Sequence, residues 1–112
     1  SDTDNQAERL LLPFDGYIHS FKARAETAPG NTTIKFMKVS NGTNADTIDT
    51  AGDVVGVPMT INMSSADTMF TFTGSKDVST FSAGDVLAIS ASWVTAPDDF
   101  DGALILMFRV EE

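Results

Sequence analysis

The residues able to do chemistry in this chain are one histidine and sixteen carboxylates, and the chain has no cysteine. His19 is the only imidazole, and no Ser or Cys motif in the sequence would pair with it as a nucleophile. Neither a phosphate-binding glycine loop nor an HExxH metal motif occurs. We therefore interpret His19 as a structural or half-exposed strand residue, and we expect no catalytic residues and no enzymatic activity.

The carboxylates cluster in two places that could supply oxygen ligands to calcium. One cluster is Asp98-Asp99-Phe100-Asp101-Gly102, and the other is Asp2-Thr3-Asp4-Asn5. Neither completes the twelve-residue calcium loop of an EF-hand. A Pro-Asp-rich turn ahead of a final strand also explains the first cluster. We expect no metal and no other cofactor, with calcium at Asp98–Asp101 left as an open alternative.

Two aromatic residues, Tyr17 and Trp93, could stack on a sugar ring. Trp93 has the same strand parity as Leu87 and Ile89, which favours a place in the core instead. Paired carboxylates of the kind that hydrolyse glycosides are not indicated, because nearly all acids lie in predicted turns. Carbohydrate binding therefore remains an alternative without a defined site.

Charge is distributed unevenly along the chain, which has a net charge of −9 at pH 7. Residues 1–39 contain five acids and five bases, whereas residues 40–112 contain eleven acids and only Lys76 and Arg109 as bases. A net negative charge disfavours nucleic acids and anionic membranes as partners. The acidic part is either a set of solvated loops or the outward side of a protein that docks through its neutral or basic side.

Alternating apolar and polar residues predict seven or eight short strands and no long helix. The predicted strands are Arg9–Phe14, Tyr17–Ala25, Thr32–Val39, Val54–Met63 with an interruption near Pro58, Thr68–Thr73, Val86–Trp93 and Ala103–Val110. In the second strand Tyr17, Phe21 and Ala23 share the apolar parity. Residues 77–81 are predicted to form one 3₁₀ turn, and residues 41–53 a loop long enough to be functional. The pattern predicts one all-β domain, an antiparallel β-sandwich.

The last predicted strand is apolar on both faces. One face carries Leu104, Leu106 and Phe108, and the other carries Ala103, Ile105 and Met107. A strand of this kind is typical of burial on both faces. In a two-layer sandwich the outer face must be covered by a loop, by the N-terminal arm or by another subunit. We take Ala103, Ile105 and Met107 as a subunit interface, with coverage by the chain's own loops as the alternative.

Two segments carry a resemblance to a known class of protein. The first is Pro13-Phe14-Asp15-Gly16-Tyr17-Ile18-His19-Ser20-Phe21-Lys22-Ala23, continued after a Pro-Gly turn by Thr32-Thr33-Ile34-Lys35-Phe36. The second is Phe81-Ser82-Ala83-Gly84-Asp85-Val86-Leu87-Ala88-Ile89, followed by the apolar strand from Ala103. In this order they resemble the small jelly-roll domains of tailed-phage virion proteins, which include head decoration (cement) proteins and fibre or spike domains.

The resemblance implies a jelly-roll-like sandwich over residues 13–112, preceded at residues 1–12 by a flexible N-terminal arm and a first edge strand. It further implies a homotrimer that binds the outside of the major capsid protein shell and stabilises it. Such a protein would be made in the host cytoplasm and located on the virion surface. No catalytic residue is implied. A receptor- or carbohydrate-binding domain of a tail fibre, spike or appendage is the alternative.

The residues predicted to contact the shell lie in the neutral part of the chain. The basic residues of this part are separated along the chain from the acidic residues 40–112. The N-terminal arm is also expected to become ordered when it binds the shell. The predicted partner-binding residues are Arg9, Leu10, Leu11 and Leu12 of the arm and first strand, together with Lys22 and Arg24 on the polar face of the second strand.

Overall fold

The computed structural model describes residues 9–110, apart from the side chain of Asp49. The predicted flexible arm, Ser1 to Glu8, with its Asp2–Asn5 cluster, lies outside the described residues. Within the described range the elements are β1 Leu10–Leu11, β2 Gly16–Arg24, β3 Gly30–Val39, α1 Ile48–Ala51, β4 Asp53–Val54, β5 Met59–Met63, β6 Phe70–Thr73, β7 Thr80–Phe81, β8 Val86–Ser92 and β9 Asp101–Phe108. None of the described helical residues forms a helix long and apolar enough to cross a membrane.

The strands form two antiparallel sheets that pack face to face, which confirms the predicted β-sandwich. Sheet A has the order β1-β8-β3, with β4 and β5 paired one after the other along the second edge of β3. Sheet B has β9 on one side of β2, with β6 and β7 along the other side. The first long strand thus pairs with the last, and β3 pairs with the penultimate strand. This nested pairing is jelly-roll-like.

The core lies between the sheets and follows the alternation of the long strands. On β3 the side chains of Thr32, Ile34 and Phe36 are buried while those between them face outward. Phe36 meets Phe21 of sheet B edge to face, with ring centroids 6.2 Å apart. The remaining core residues come from both sheets and both ends: Leu12, Ile18, Ala23, Val55, Met63, Phe72, Phe81 and Leu87. Burial on one face of each sheet therefore fixes the register of the strands.

A β-bulge interrupts β2 and changes which side chains face the core. Ile18 is aligned with Leu106, and the next aligned pair is Ser20 with Ile105, so His19 is the extra residue. Ile18 is fully buried before the bulge, and Phe21 is buried after it. The prediction that Tyr17 shares the inward parity of Phe21 is therefore wrong. Tyr17 lies half-buried on the outer face of sheet B.

Both sheets have one broken edge. The strand predicted over residues 54–63 is divided into β4 and β5, as the interruption near Pro58 indicated. Residues 75–79 form a turn in which the Ser79 amide donates to the Ser75 carbonyl. Thr80 then begins β7, which pairs with Gly16 and Tyr17. The predicted 3₁₀ turn over residues 77–81 is therefore wrong, because residues 76–79 form an ordinary turn and residues 80 and 81 belong to β7.

The loop between β3 and β4 covers part of the outer face of sheet A. Ile48, in the helical turn α1, is fully buried. It packs in a second small cluster with Met37, Val39 and Ala88, whose side chains lie on the outer side of sheet A. The length of this loop is thus explained by burial of apolar side chains that would otherwise face solvent.

Candidate interaction surface

The single histidine lies at the bulge of β2, exposed to solvent. Its Nδ1 atom is 3.1 Å from the hydroxyl oxygen of Ser20. Ser20, however, is only 1% exposed. A substrate could not reach a hydroxyl buried to this degree, so the contact between His19 and Ser20 is interpreted as a structural one.

The acidic residues near the start of β9 meet those that follow β2 in an open cleft of about 390 Å³, lined by Arg24, Glu26, Asp67, Asp99 and Asp101 among others. A hydrogen bond with Asp99, followed by the negative charges of Asp99, Asp67 and Asp98, raises the pKa of Glu26 above its ordinary value. Within residues 9–110, no group of three or more carboxylate or imidazole side chains is arranged to hold a metal ion.

The Asp98–Asp101 segment is tied to the turn after β2. The Glu26 amide donates to the Asp98 carbonyl over 2.9 Å, and the Thr27 hydroxyl donates to Asp98 Oδ2 over 3.3 Å. Asp99 adopts a positive φ of 46°, a conformation that Asp tolerates better than most residues. These features are those of a structural turn that leads into the last strand.

The two aromatic residues considered for sugar stacking lie at opposite ends of the sandwich. Trp93 packs against Phe100, with ring centroids 5.6 Å apart, and the next residue bonds to Pro29 in the turn between β2 and β3. Tyr17 lies at the start of β2, beside Met107. Trp93 and Tyr17 therefore do not form a shared platform.

The outer face of sheet B is built by three cross-strand rows centred on β2. Directly opposite residues on neighbouring strands place their side chains on the same face. The rows are Ala103–Lys22–Thr71, Ile105–Ser20–Thr73 and Met107–Tyr17–Thr80. We call these residues the sheet B outer face. It has an apolar column along β9 and a hydroxyl column formed by the three threonines.

The three residues predicted as a subunit interface form the apolar column of this face. Met107 is 45% exposed, Ala103 is exposed and Ile105 is half-buried. Leu104 and Leu106, which alternate with them, pack against the core from the other side. One face of β9 therefore packs against the core and the other lies on the outside of sheet B, as the sequence indicated. Assignment of the outer face to a subunit contact stays a prediction.

Lys22 and Arg24 differ in their surroundings. Lys22 Nζ donates to the hydroxyl of Thr71 over 3.0 Å, and within residues 9–110 it makes no ion pair. Arg24 Nη2 lies 3.7 Å from a carboxylate oxygen of Asp67, and Arg24 stands opposite Asp101 in the β2–β9 ladder. The charge of Arg24 is thus offset locally, so Lys22 is the base that this face offers to a partner.

The outer face of sheet A has a different character. Thr33 and Thr60 share a hydrogen bond of 2.8 Å between their hydroxyls, and Lys35 stands opposite Ser90. The rest of this side is covered by the loop that carries Ile48. The centre of this face is therefore polar, while Leu11 of β1 and Val54 of β4 are exposed near its two edges. In sheet B, by contrast, the outward apolar side chains follow one another along a single strand, β9.

The predicted partner-binding residues of the first strand lie in sheet A, away from Lys22 and Arg24. Arg9 Nη1 donates to the Ala45 carbonyl over 2.8 Å and lies 3.7 Å from Asp46. Leu10 and Leu11 of β1 are 43% and 65% exposed. Leu12 is fully buried, so its side chain belongs to the core and cannot contact a partner. The structure thus separates the six residues into two surfaces and one core position.

Sequence reasoning missed two features of the sheet B outer face. The outward position of Tyr17 depends on the bulge at His19, which no local residue pattern signals. The hydroxyl column was visible as the alternation Thr71-Phe72-Thr73, in which Phe72 is fully buried and the threonines face outward.

No protein-family model, no curated protein and no solved structure matches the chain. The likeness to phage jelly-roll domains therefore rests on the two sequence segments that carry it.

Proposed function

We propose that the chain is a structural protein that decorates the outside of a phage capsid, binding the major capsid protein and stabilising the shell. The observation that supports this proposal is the sheet B outer face. Ala103 and Met107 of the apolar column on β9 are exposed, and Ile105 between them is half-buried, when only residues 9–110 are considered; they lie next to the hydroxyls of Thr71 and Thr73 and the charge of Lys22. Uncovered apolar surface rimmed by polar groups is typical of a protein contact.

The chemistry of this face fits a folded protein surface as the partner. Apolar side chains of β9 lose contact with water when they dock on another protein, and threonine hydroxyls can accept and donate hydrogen bonds across the contact. Lys22 would face an acidic group of the shell. The net charge of −9 works against attachment to nucleic acid inside the particle and favours a place on its outside.

The location is tested by immunogold labelling of particles from the source lysate, with antibody raised against the recombinant protein. Dense and even labelling of heads is the expected result. Labelling confined to tails or appendages would overturn decoration and would favour the receptor- or carbohydrate-binding alternative. No labelling of any particle would refute a virion location.

The binding face is tested with a pair of charge reversals, Lys22→Glu and Lys35→Glu. Both variants change the net charge equally, but Lys22 is on the outer face of sheet B and Lys35 is on the outer face of sheet A. The readout is the number of copies that co-sediment with heads from which the native protein has been removed. Lys22→Glu should weaken binding about ten-fold, the effect of roughly 1.4 kcal/mol at one contact.

The matched control decides what the loss means. Lys35→Glu should bind heads as the unsubstituted protein does, because its charge faces away from the shell. Equal losses from both variants would indicate a general charge effect, and no loss from Lys22→Glu would refute the sheet B outer face as the contact.

A further inference from the structure

The last strand, β9, is a long and unprotected edge of sheet B. Among the described residues it pairs with β2 alone, along its full length of eight residues. An edge strand exposes backbone N–H and C=O groups, and proteins usually protect such edges with charges, prolines, bulges or shortness. Residues 102–108 read Gly-Ala-Leu-Ile-Leu-Met-Phe and contain no charge and no proline. The bulge in this ladder lies in β2, so β9 itself runs straight.

The free backbone groups of β9 belong to the even-numbered residues. The Arg109 amide donates to the Asp15 carbonyl over 2.7 Å, which shows that residue 109 is directed toward β2. Backbone groups alternate along an antiparallel strand, so the odd-numbered residues of β9 bond to β2. The N–H and C=O groups of Gly102, Leu104, Leu106 and Phe108 therefore point to the open edge.

The sequence of β9 is complementary to itself when two copies run antiparallel with Ile105 opposite Ile105. In that register Leu104 lies opposite the partner's Leu106, Ala103 opposite the partner's Met107, and Gly102 opposite the partner's Phe108. Large side chains thus meet small ones at the positions where size differs most. The two charged residues that flank the apolar run, Asp101 and Arg109, stand four positions on either side of Ile105. Each therefore meets the opposite charge of the partner.

We propose that two copies of this chain associate through their β9 strands, centred on Ile105, and form one continuous sheet across a two-fold axis. The pairing makes hydrogen bonds between Leu104 and the partner's Leu106, and between Gly102 and the partner's Phe108. It also leaves inner side chains beside inner ones and outer beside outer, because the axis is perpendicular to the sheet. A second copy is the occupant because the sequence of β9 itself supplies the reciprocal charges and sizes. The pairing of the β9 strands does not depend on the proposed binding to a capsid.

The register can be measured with single cysteines, since the chain contains none. Ile105 faces outward and forms a pair without hydrogen bonds with its symmetry mate, so the two Cα atoms lie about 4.5 Å apart. That separation permits a disulfide. In contrast, the two copies of residue 103 lie about 13 Å apart along the strands, as do those of residue 107. Ile105→Cys should therefore cross-link almost completely under mild oxidation, while Ala103→Cys or Met107→Cys alone should not.

A mixture of Ala103→Cys and Met107→Cys proteins supplies the positive control, because these positions are opposite each other. The mixture should give a cross-linked dimer that contains one copy of each variant. Equal cross-linking of all single variants would show random collisions and overturn the register. An Ile105→Cys protein that stays reduced while the mixture also fails to cross-link would overturn the pairing.

Sedimentation of the unsubstituted protein tests the association without any oxidant. The expected species is a dimer that dissociates on dilution, and Ile105→Lys should make it monomeric by placing two ammonium groups opposite each other. Thr33→Lys, on the outer face of sheet A, should leave the dimer intact. A monomer at protein concentrations up to ~1 mM, or a trimer such as the resemblance implies, would refute the two-fold pairing.

Discussion

Leu12 provides the sharpest test of how the N-terminal segment is used. Its neighbour Leu11 is 65% exposed on β1, whereas Leu12 is fully buried and belongs to the core cluster between the sheets. Backbone bonds hold it there, because the Leu12 amide donates to the Asp85 carbonyl and the Leu12 carbonyl accepts from the Gly84 amide, over 2.9 and 2.7 Å. We expect Leu12→Ala to reduce stability strongly and Leu11→Ala to leave it nearly unchanged.

The size of the effect follows from the burial of Leu12. Replacing a fully buried Leu by Ala removes its transfer free energy and leaves a cavity, which together cost about 3 kcal/mol. Substitution of an exposed residue such as Leu11 changes the free energy of unfolding by less than about 0.5 kcal/mol. For a domain of this size, the larger loss corresponds to a fall of about 15 °C in the melting temperature.

The measurement is urea unfolding at equilibrium, followed by tryptophan fluorescence and checked by far-ultraviolet circular dichroism. Leu12→Ala should lower the midpoint by about 1.5 M at an unchanged slope. The control Leu11→Ala should unfold with the unsubstituted protein. Equal and small effects of the two substitutions would refute the placement of Leu12 in the core, and would return it to the surface as a partner-binding residue.

Two further predictions concern single positions. Gly16→Ala should destabilise the fold by about 3 kcal/mol, because an added Cβ would collide with the Met107 carbonyl oxygen and lie 3.0 Å from the Phe81 ring. Gly42→Ala is the control, because an added Cβ there meets nothing within 4 Å, although φ is +91°. It should lower the free energy of unfolding by only about 1 kcal/mol. Equal melting temperatures for the two variants would refute the collision at Gly16. Glu26→Gln should raise the melting temperature at pH 7, since the raised pKa of Glu26 means that the folded state favours its protonated form. Protonated Glu26 stabilises the folded state fully below about pH 4, and this contribution is lost as the pH rises through the pKa of Glu26 in the folded state. The substitution should therefore raise the melting temperature at pH 7 but not at pH 3.5. A rise that persists at pH 3.5, or that Asp77→Asn also produces, would contradict this cause.

The strands of the sandwich could be predicted because each long strand buries one face. The alternation of Thr32, Ile34 and Phe36 on β3 is complete, and the structure confirms their inward position. The parity of β2 could not be predicted through its whole length. The extra residue at His19 is imposed by pairing with β9, 80 or more residues away, and only the paired structure shows where the ladder shifts. Tyr17 consequently changes face without any change in the local pattern.

The candidate partner-binding set shows a second limit of reasoning along the chain. Arg9 and Lys22 were grouped because the first 39 residues have no net charge. In the folded chain they lie in different sheets, and Arg9 is held by Ala45 and Asp46, which come from the acidic part. Charge balance along a sequence does not become a charged face unless the topology brings the same residues together. In contrast, the sequence alone shows that β9 is apolar on both faces, because consecutive residues of one strand alternate between its two faces.

The two proposed contacts are compatible because they use different parts of the same strand. Shell attachment uses outward side chains of sheet B, whereas copy-to-copy pairing uses the backbone edge of β9. A two-fold axis perpendicular to the sheet keeps both outer faces on one side, so a dimer would present Lys22 twice toward the same shell. Attachment at two points strengthens binding beyond either point alone, provided that the shell offers two sites at the same spacing. A two-fold dimer cannot match its two faces to a three-fold axis. If both proposals hold, the protein therefore occupies two-fold positions between neighbouring capsomers, and density confined to three-fold axes would show that the β9 edge is not the contact between copies on the shell.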